Sequence, residues 1–128
     1  MPTPATVLIV EDNAGVREAL VEILRPEGYR VLTAATVPEA EEARRQVTPG
    51  DIDVVIANIH LTADREACEG YTLWQGWTAL DPQPRFILIS GDLRSLDLPA
   101  IRAGTVQCLT KPFSPAELLE TIRDALGR

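Results

Sequence analysis

Short apolar runs alternate with stretches of helical spacing along the chain. TVLIV (6–10), RVLTAA (30–35), DVVIA (53–57), RFILIS (85–90) and VQCLT (106–110) are too short for helices, so they are predicted strands. Between them, apolar positions recur every three or four residues. Val16, Leu20, Ile23 and Leu24 form one face of a first helix, with Asn13 as cap and Pro26 and Gly28 at its end. TVPEAEEARRQV opens with Thr36 and Glu39 at the spacing of a capping box, and Pro38 sits in the first turn. A polar loop is expected over 59–70, then a helix over YTLWQGWTAL (71–80) with Leu73, Trp77 and Leu80 on one side. In GDLRSLDLPAIRAG, Pro99 would break a long helix. SPAELLETIRDALG is the clearest helix, with Ser114 as cap, Pro115 first, Glu117 closing the box and Gly127 at the end.

This pattern is five βα units, and so an α/β fold. Strands that are apolar throughout belong to a parallel sheet covered on both faces, here a doubly wound one. Right-handed crossovers put every strand C-terminus on one edge. Glu11, Asp12, Asn58, Ser90 and Lys111 stand at those ends and would share one crevice. Residues 1–128 read as a single domain without internal repeat or linker.

Composition narrows the possibilities. The 128 residues are 45% hydrophobic, enough for one core. Nineteen acids against twelve bases give a net charge of −7, which argues against direct nucleic-acid binding. No apolar run approaches a membrane span, and the start lacks the basic region of a secretory signal, so the expected address is the cytoplasm. Cys68 and Cys108 lack metal-site spacing and read as reduced and structural. His60 is the one histidine, so neither a His-based metal cluster nor a Ser-His-Asp triad can form.

Adjacent acids at a strand end suit Mg2+, a hard cation that takes oxygen ligands. Lys111 supplies a point charge for phosphate and Ser90 a hydroxyl. Such a set suits phosphoryl transfer onto a carboxylate. The carboxylate is missing: DIDVVIANIHL carries Asn58 at the expected place.

VLIVEDN, DVVIANIHL, FILISG and CLTKPF, in this order, resemble the response-regulator receiver domain, the phosphoacceptor half of two-component signalling, over residues 6–127. The resemblance implies a flavodoxin-like sheet of five strands. It implies that Glu11, Asp12 and the backbone carbonyl of His60 hold the metal. Position 58 would accept a phosphoryl group from a histidine kinase, and Ser90 and Lys111 would bind it. Ser90 and position 108 would form the switch, and Lys111–Pro112 would be a cis peptide. Residues 92–127 would form the face for a histidine kinase or downstream effector, in a monomer or homodimer.

Four departures stand out. Asn58 replaces the acceptor Asp, and an amide is a poor nucleophile that also removes a negative charge from the metal site. Cys108 replaces the switch aromatic. The loop HLTADREACEG has Thr62 where a Pro is usual and is longer than expected, and Pro99 falls in the fourth helix. The expectation is a receiver-like interaction module, not an enzyme, independent of phosphorylation, with its Mg2+ site weak or empty. An ordinary phosphoacceptor with residue 58 substituted remains open. A nucleotide or flavin binder would need a Gly-rich loop, which the chain lacks.

Finer expectations follow. Lys111 should pair with Asp12, and Asn58 should hydrogen-bond among Asp12, Ser90 and Lys111. His60 should be a loop residue. One of Trp74 and Trp77 should be partly exposed, as a possible partner anchor. EEARR (41–45) should be a solvated face. Met1 fits a natural N-terminus, and the end at the last helix fits a stand-alone receiver or a piece of a longer chain.

Overall fold

Parallel pairing of β1 (Thr6–Val10) with β3 (Val54–Asn58) sets the frame, with Val10 opposite Ala57. The structure, a computed structural model, describes residues 4–64 and 66–128; Met1 and Arg65 of the long loop lie outside them. β2 (Arg30–Ala34), β4 (Arg85–Ser90) and β5 (Gln107–Thr110) complete a five-stranded parallel sheet in the order β2-β1-β3-β4-β5. The doubly wound α/β fold is as expected. Strand limits move by a residue or so, and β3 runs Val54–Asn58 rather than 53–57.

Strand side chains alternate between two cores. On one face Leu8, Val10, Val55, Ala57 and Leu88 pack with Ala40 of α2 (Val37–Arg45) and with Leu73, Trp74 and Trp77 of α3 (Glu69–Trp77). On the other, Val7, Ile9, Ile56 and Ile87 pack with Leu20 and Leu24 of α1 (Ala14–Leu24) and with Leu118 and Ile122 of α5 (Pro115–Ala125). These central strand residues are 0–1% exposed, as a sheet covered on both sides requires.

Local chemistry sets the helix limits. Asn13 Oδ1 accepts from Val16 N at 3.0 Å. Ser114 and Glu117 form a full capping box at the start of α5. Thr36 caps α2, but Glu39 returns its bond to Ala35 N at 3.3 Å, one residue earlier than a true box. Gly28 takes φ 90°, which closes the 3-10 turn after α1.

Several expectations change. α3 starts at Glu69 and ends at Trp77, not over 71–80. As Pro99 requires, no long helix runs through 91–104: a 3-10 turn covers Leu93–Asp97, and Pro99 opens a short α4 (Pro99–Arg102), where its missing N–H is harmless. The loop after β3 is not polar at its start, since Ile59 and Leu61 are buried. Both tryptophans are buried, Trp74 at 8% and Trp77 at 2% exposure. Residues three apart on a helix share a face, so both reach the core. Trp77 meets Phe86 edge to face at 5.7 Å, and Trp74 leans on Tyr71 at 5.5 Å.

EEARR is solvated only in part. Glu41 accepts from Trp77 Nε1 at 2.7 Å, and Arg44 lies 5.6 Å over the Trp77 ring. Burial opposes ionisation of Glu41, yet the hydrogen bonds from Trp77 and Arg44 and the arginine charges outweigh it and hold its carboxyl below the usual range.

Gly70 joins α3 to the end of β3. Its N–H donates to Ile59 O at 2.9 Å, and a Cβ there would run into the backbone carbonyl of Asn58. Gly70→Ala should therefore destabilise the chain by about 1–3 kcal/mol, since the obstacle is backbone and cannot turn aside. Chemical denaturation should show a lower midpoint with an unchanged slope; an unaltered midpoint would contradict this packing.

Candidate functional site

The register of β1, β3, β4 and β5 brings Glu11, Asp12, Asn58, Gly91 and Lys111 to one sheet edge. Ile59 N donates to Ile89 O at 2.9 Å and Lys111 N to Ser90 O at 2.8 Å, which extends the ladder just past the strand ends. A cleft of about 450 Å³ opens there, lined by Asp12, Asn58, His60, Thr62, Asp92 and Lys111 among others. Lys111–Pro112 is a cis peptide, as expected, and so is Asp81–Pro82.

Glu11 is the inward acid, only 3% exposed, while Asp12 is exposed to the cleft. Burial pushes the Glu11 carboxyl above its usual range; a hydrogen bond with Asp12 adds to this, and the Lys111 charge opposes it. Lys111 Nζ lies 3.5 Å from Glu11 Oε1, so it pairs with Glu11 and not with Asp12. The physical reason is direction: the buried carboxylate gains more from a cation than the solvated one does.

Asn58 is held differently from expectation. Its Nδ2 donates to Glu11 Oε2 at 3.1 Å and to the backbone oxygen of His60 at 2.9 Å. Asp12, Ser90 and Lys111 are not its partners. A reversed amide would set its oxygen against a carboxylate and a carbonyl, so the chemistry of the neighbours fixes this orientation. The two oxygens expected to reach a metal thus converge on an amide nitrogen. Among the described residues, no cluster of three or more His, Cys, Asp or Glu side chains is arranged to hold a metal ion.

Ser90 is fully buried. Its hydroxyl pairs with Ser95 Oγ at 2.8 Å, donates to Asp92 O at 3.1 Å and accepts from Asp92 N at 3.0 Å. It therefore lies in the turn after β4, outside the cleft lining. Cys108 is half-buried, and burial raises its thiol pKa. It packs against the core on the α2–α3 side of the sheet, as do Leu98, Ala100 and Ile101. Tyr71 reaches the same region from α3, and its hydroxyl accepts from Ala100 N at 3.2 Å. That bond satisfies an orphan donor of α4, whose own cap residue Leu98 offers no side-chain acceptor. His60 Nδ1 sits 3.0 Å from Ala67 O, and Glu69 accepts from Leu61 N at 3.2 Å, which ties down the long loop. Tyr71, Ser95, Asp92 and Glu69 carry no sequence signal as site residues beyond the Asp-x-Arg spacing of Asp92 and Arg94.

A family model for the response regulator receiver domain matches residues 7–123. The chain belongs to the response-regulator receiver family. This receiver is 34% identical over 127 residues to the sensor kinase CckA of Brucella abortus, covering 97% of this chain and 13% of that protein. It is 30% identical to the transcriptional regulatory protein CreB of Escherichia coli, covering 96% of this chain and 51% of that one. The chain thus spans about half, or much less, of these curated relatives. The signal receiver domain of an HD domain-containing protein from Pseudomonas fluorescens superposes with TM-score 0.82 at 27% identity, covering 97% and 95% of the two chains. A CheY-like receiver domain protein from Methanospirillum hungatei gives 0.80 at 27% identity, covering 97% and 94%. The receiver is therefore a module of two-component signalling.

At the cleft rim, the Arg94 side chain meets both oxygens of Asp92, with Nη2 at 2.7 Å from Oδ2, and the Arg94 backbone N–H donates at 2.9 Å. Hydrogen bonds from that side chain, then from that backbone, hold the Asp92 carboxyl at about 2, against an ordinary 3.8. The folded value is the lower one, so this contact favours the folded turn above the ordinary value and is lost as pH falls through about 2. In a carboxyl-carbon NMR titration, Arg94→Ala should raise the Asp92 midpoint toward 3.8 without reaching it, because the backbone donor stays. An unmoved midpoint would refute the contact.

Proposed function

We propose that this receiver is an interaction module of two-component signalling that works without accepting a phosphoryl group. One observation carries the reading: the side chain at the end of β3 is an amide, and both of its N–H groups are committed to Glu11 and His60. Its nitrogen lone pair is delocalised and its oxygen bears no full charge, so it offers a phosphoryl donor no nucleophile. His60 serves the loop instead, its Nδ1 held 3.0 Å from Ala67 O.

The partner is a histidine kinase or downstream effector, docked on the face within residues 92–127. Leu93 at 73% and Leu96 at 40% exposure support that placement, as they are the exposed large hydrophobics among the described residues. The short α4 that follows them is tied to α3 by Tyr71, and the 3-10 turn that carries them is tied to β4 by the Ser90–Ser95 pair. With Cys108 in place of a switch aromatic, these ties favour one resident shape of the docking face. The module binds and does no chemistry. No helix of the described residues is long and apolar enough to cross a membrane.

A second reading, an ordinary phosphoacceptor in which residue 58 has been substituted, draws on the retention of Glu11, Asp12 and Lys111 around the cleft. The genomic codon separates the two. Incubation with acetyl phosphate and Mg2+, followed by intact mass, tests the main reading. The chain should gain no phosphoryl group, and Asn58→Asp should gain one. A stoichiometric gain by the unchanged chain would sink the proposal.

A further inference from the structure

We infer that the Asn58 amide is a built-in substitute for the divalent cation: its NH2 group joins the ends of β1 and β3, so the cleft is assembled without metal and takes up no Mg2+. The inference rests on the reading of Asn58 as the resident side chain and extends it from the lost nucleophile to the ion site.

The geometry is that of a site already filled. Glu11 brings a carboxylate from the end of β1, and the residue after Ile59 brings a backbone carbonyl from the end of β3. Both oxygens point at one atom, Asn58 Nδ2, at 3.1 and 2.9 Å. A primary amide has two hydrogens on that nitrogen, and each finds an acceptor. Lys111 Nζ stands 3.5 Å from the other Glu11 oxygen. A buried carboxylate needs donors or a cation on its oxygens. Here both oxygens have one, and neither is an ion from solution.

Mg2+ demands near-octahedral oxygen ligands at about 2.0–2.1 Å. To admit it, Asn58 would have to turn through half a rotation and give up two hydrogen bonds. It would then present a neutral amide oxygen. Asp12 would remain as the solvated acid of the cleft. The opposite case is equally clear. A carboxylate at position 58 would face Glu11 and the His60 carbonyl with no hydrogen between them. Three oxygens would crowd together, two of them charged, and only a cation or a proton could reconcile them. The one-atom difference between amide and carboxylate therefore exchanges a metal-requiring junction for a self-sufficient one.

The experiment is thermal unfolding of the full chain in EDTA and in millimolar Mg2+, with calorimetric titration of Mg2+ alone in parallel. The unchanged chain should melt at the same temperature in both and give no binding heat. Asn58→Asp should melt lower than the unchanged chain in EDTA and recover in Mg2+, with a saturable heat. Asn58→Ala, which removes the donors and supplies no oxygen, should melt about 5 °C lower in both solutions. Stabilisation of the unchanged chain by Mg2+, or Asn58→Ala melting with the unchanged chain, would overturn the inference. Should Asn58→Ala fail to fold, the titration of the unchanged chain decides alone: saturable heat refutes the inference and its lack supports it. Mg2+ stabilisation without a phosphoryl gain would sink this inference and leave the functional reading standing. A phosphoryl gain would remove the functional reading whatever the melting curves show.

Discussion

A carboxylate withdrawn from water must be met by donors or positive charge, and Glu11 imposes that condition on everything around the cleft. It is almost fully buried at the end of a central strand. Lys111 meets it from beyond β5 and Asn58 from β3. The same amide then turns the chain at His60 through its second hydrogen bond. On either side of His60, Ile59 and Leu61 turn inward, and Glu69 receives the Leu61 N–H, so the start of α3 inherits its position from the strand end.

The second level of order is the seam around α3. Gly70 lets the helix lie directly against the β3 backbone, Trp77 ties it to Glu41 of α2, and Tyr71 ties it to α4. α3 is thus the element through which the cleft and the exposed Leu93–Leu96 stretch are mechanically connected. The Ser90–Ser95 pair makes a second, shorter connection through the turn after β4.

Much of this was legible in the sequence. Short apolar runs in fivefold alternation with capped helical patterns leave few topologies, and right-handed crossovers leave one edge on which Glu11, Asp12, Asn58 and Lys111 can meet. The specific partners were not legible, for reasons of direction and distance. Glu11 and Asp12 are neighbours in sequence, but successive residues leaving a strand face opposite ways, so Lys111 meets only the inward one. The Glu41–Trp77 bond spans 36 residues, and no local pattern marks such a pair. Ser90 sits at the strand end in sequence, yet its hydroxyl is captured by Ser95, a residue that no motif singles out. Pro99 forbids a long helix through its stretch, but its ring alone does not say that it also opens the short α4.

The seam has a spectroscopic consequence. Both tryptophans of the chain lie on α3, one with its indole N–H held by Glu41 and an arginine above its ring. Intrinsic emission from this protein is therefore a local report on the contact between α3 and its neighbours. A quencher in solvent meets little of either indole, and a denaturation curve followed by fluorescence records the parting of α3 from α2 and the sheet. Events confined to the face of α1 and α5 would be silent to that probe.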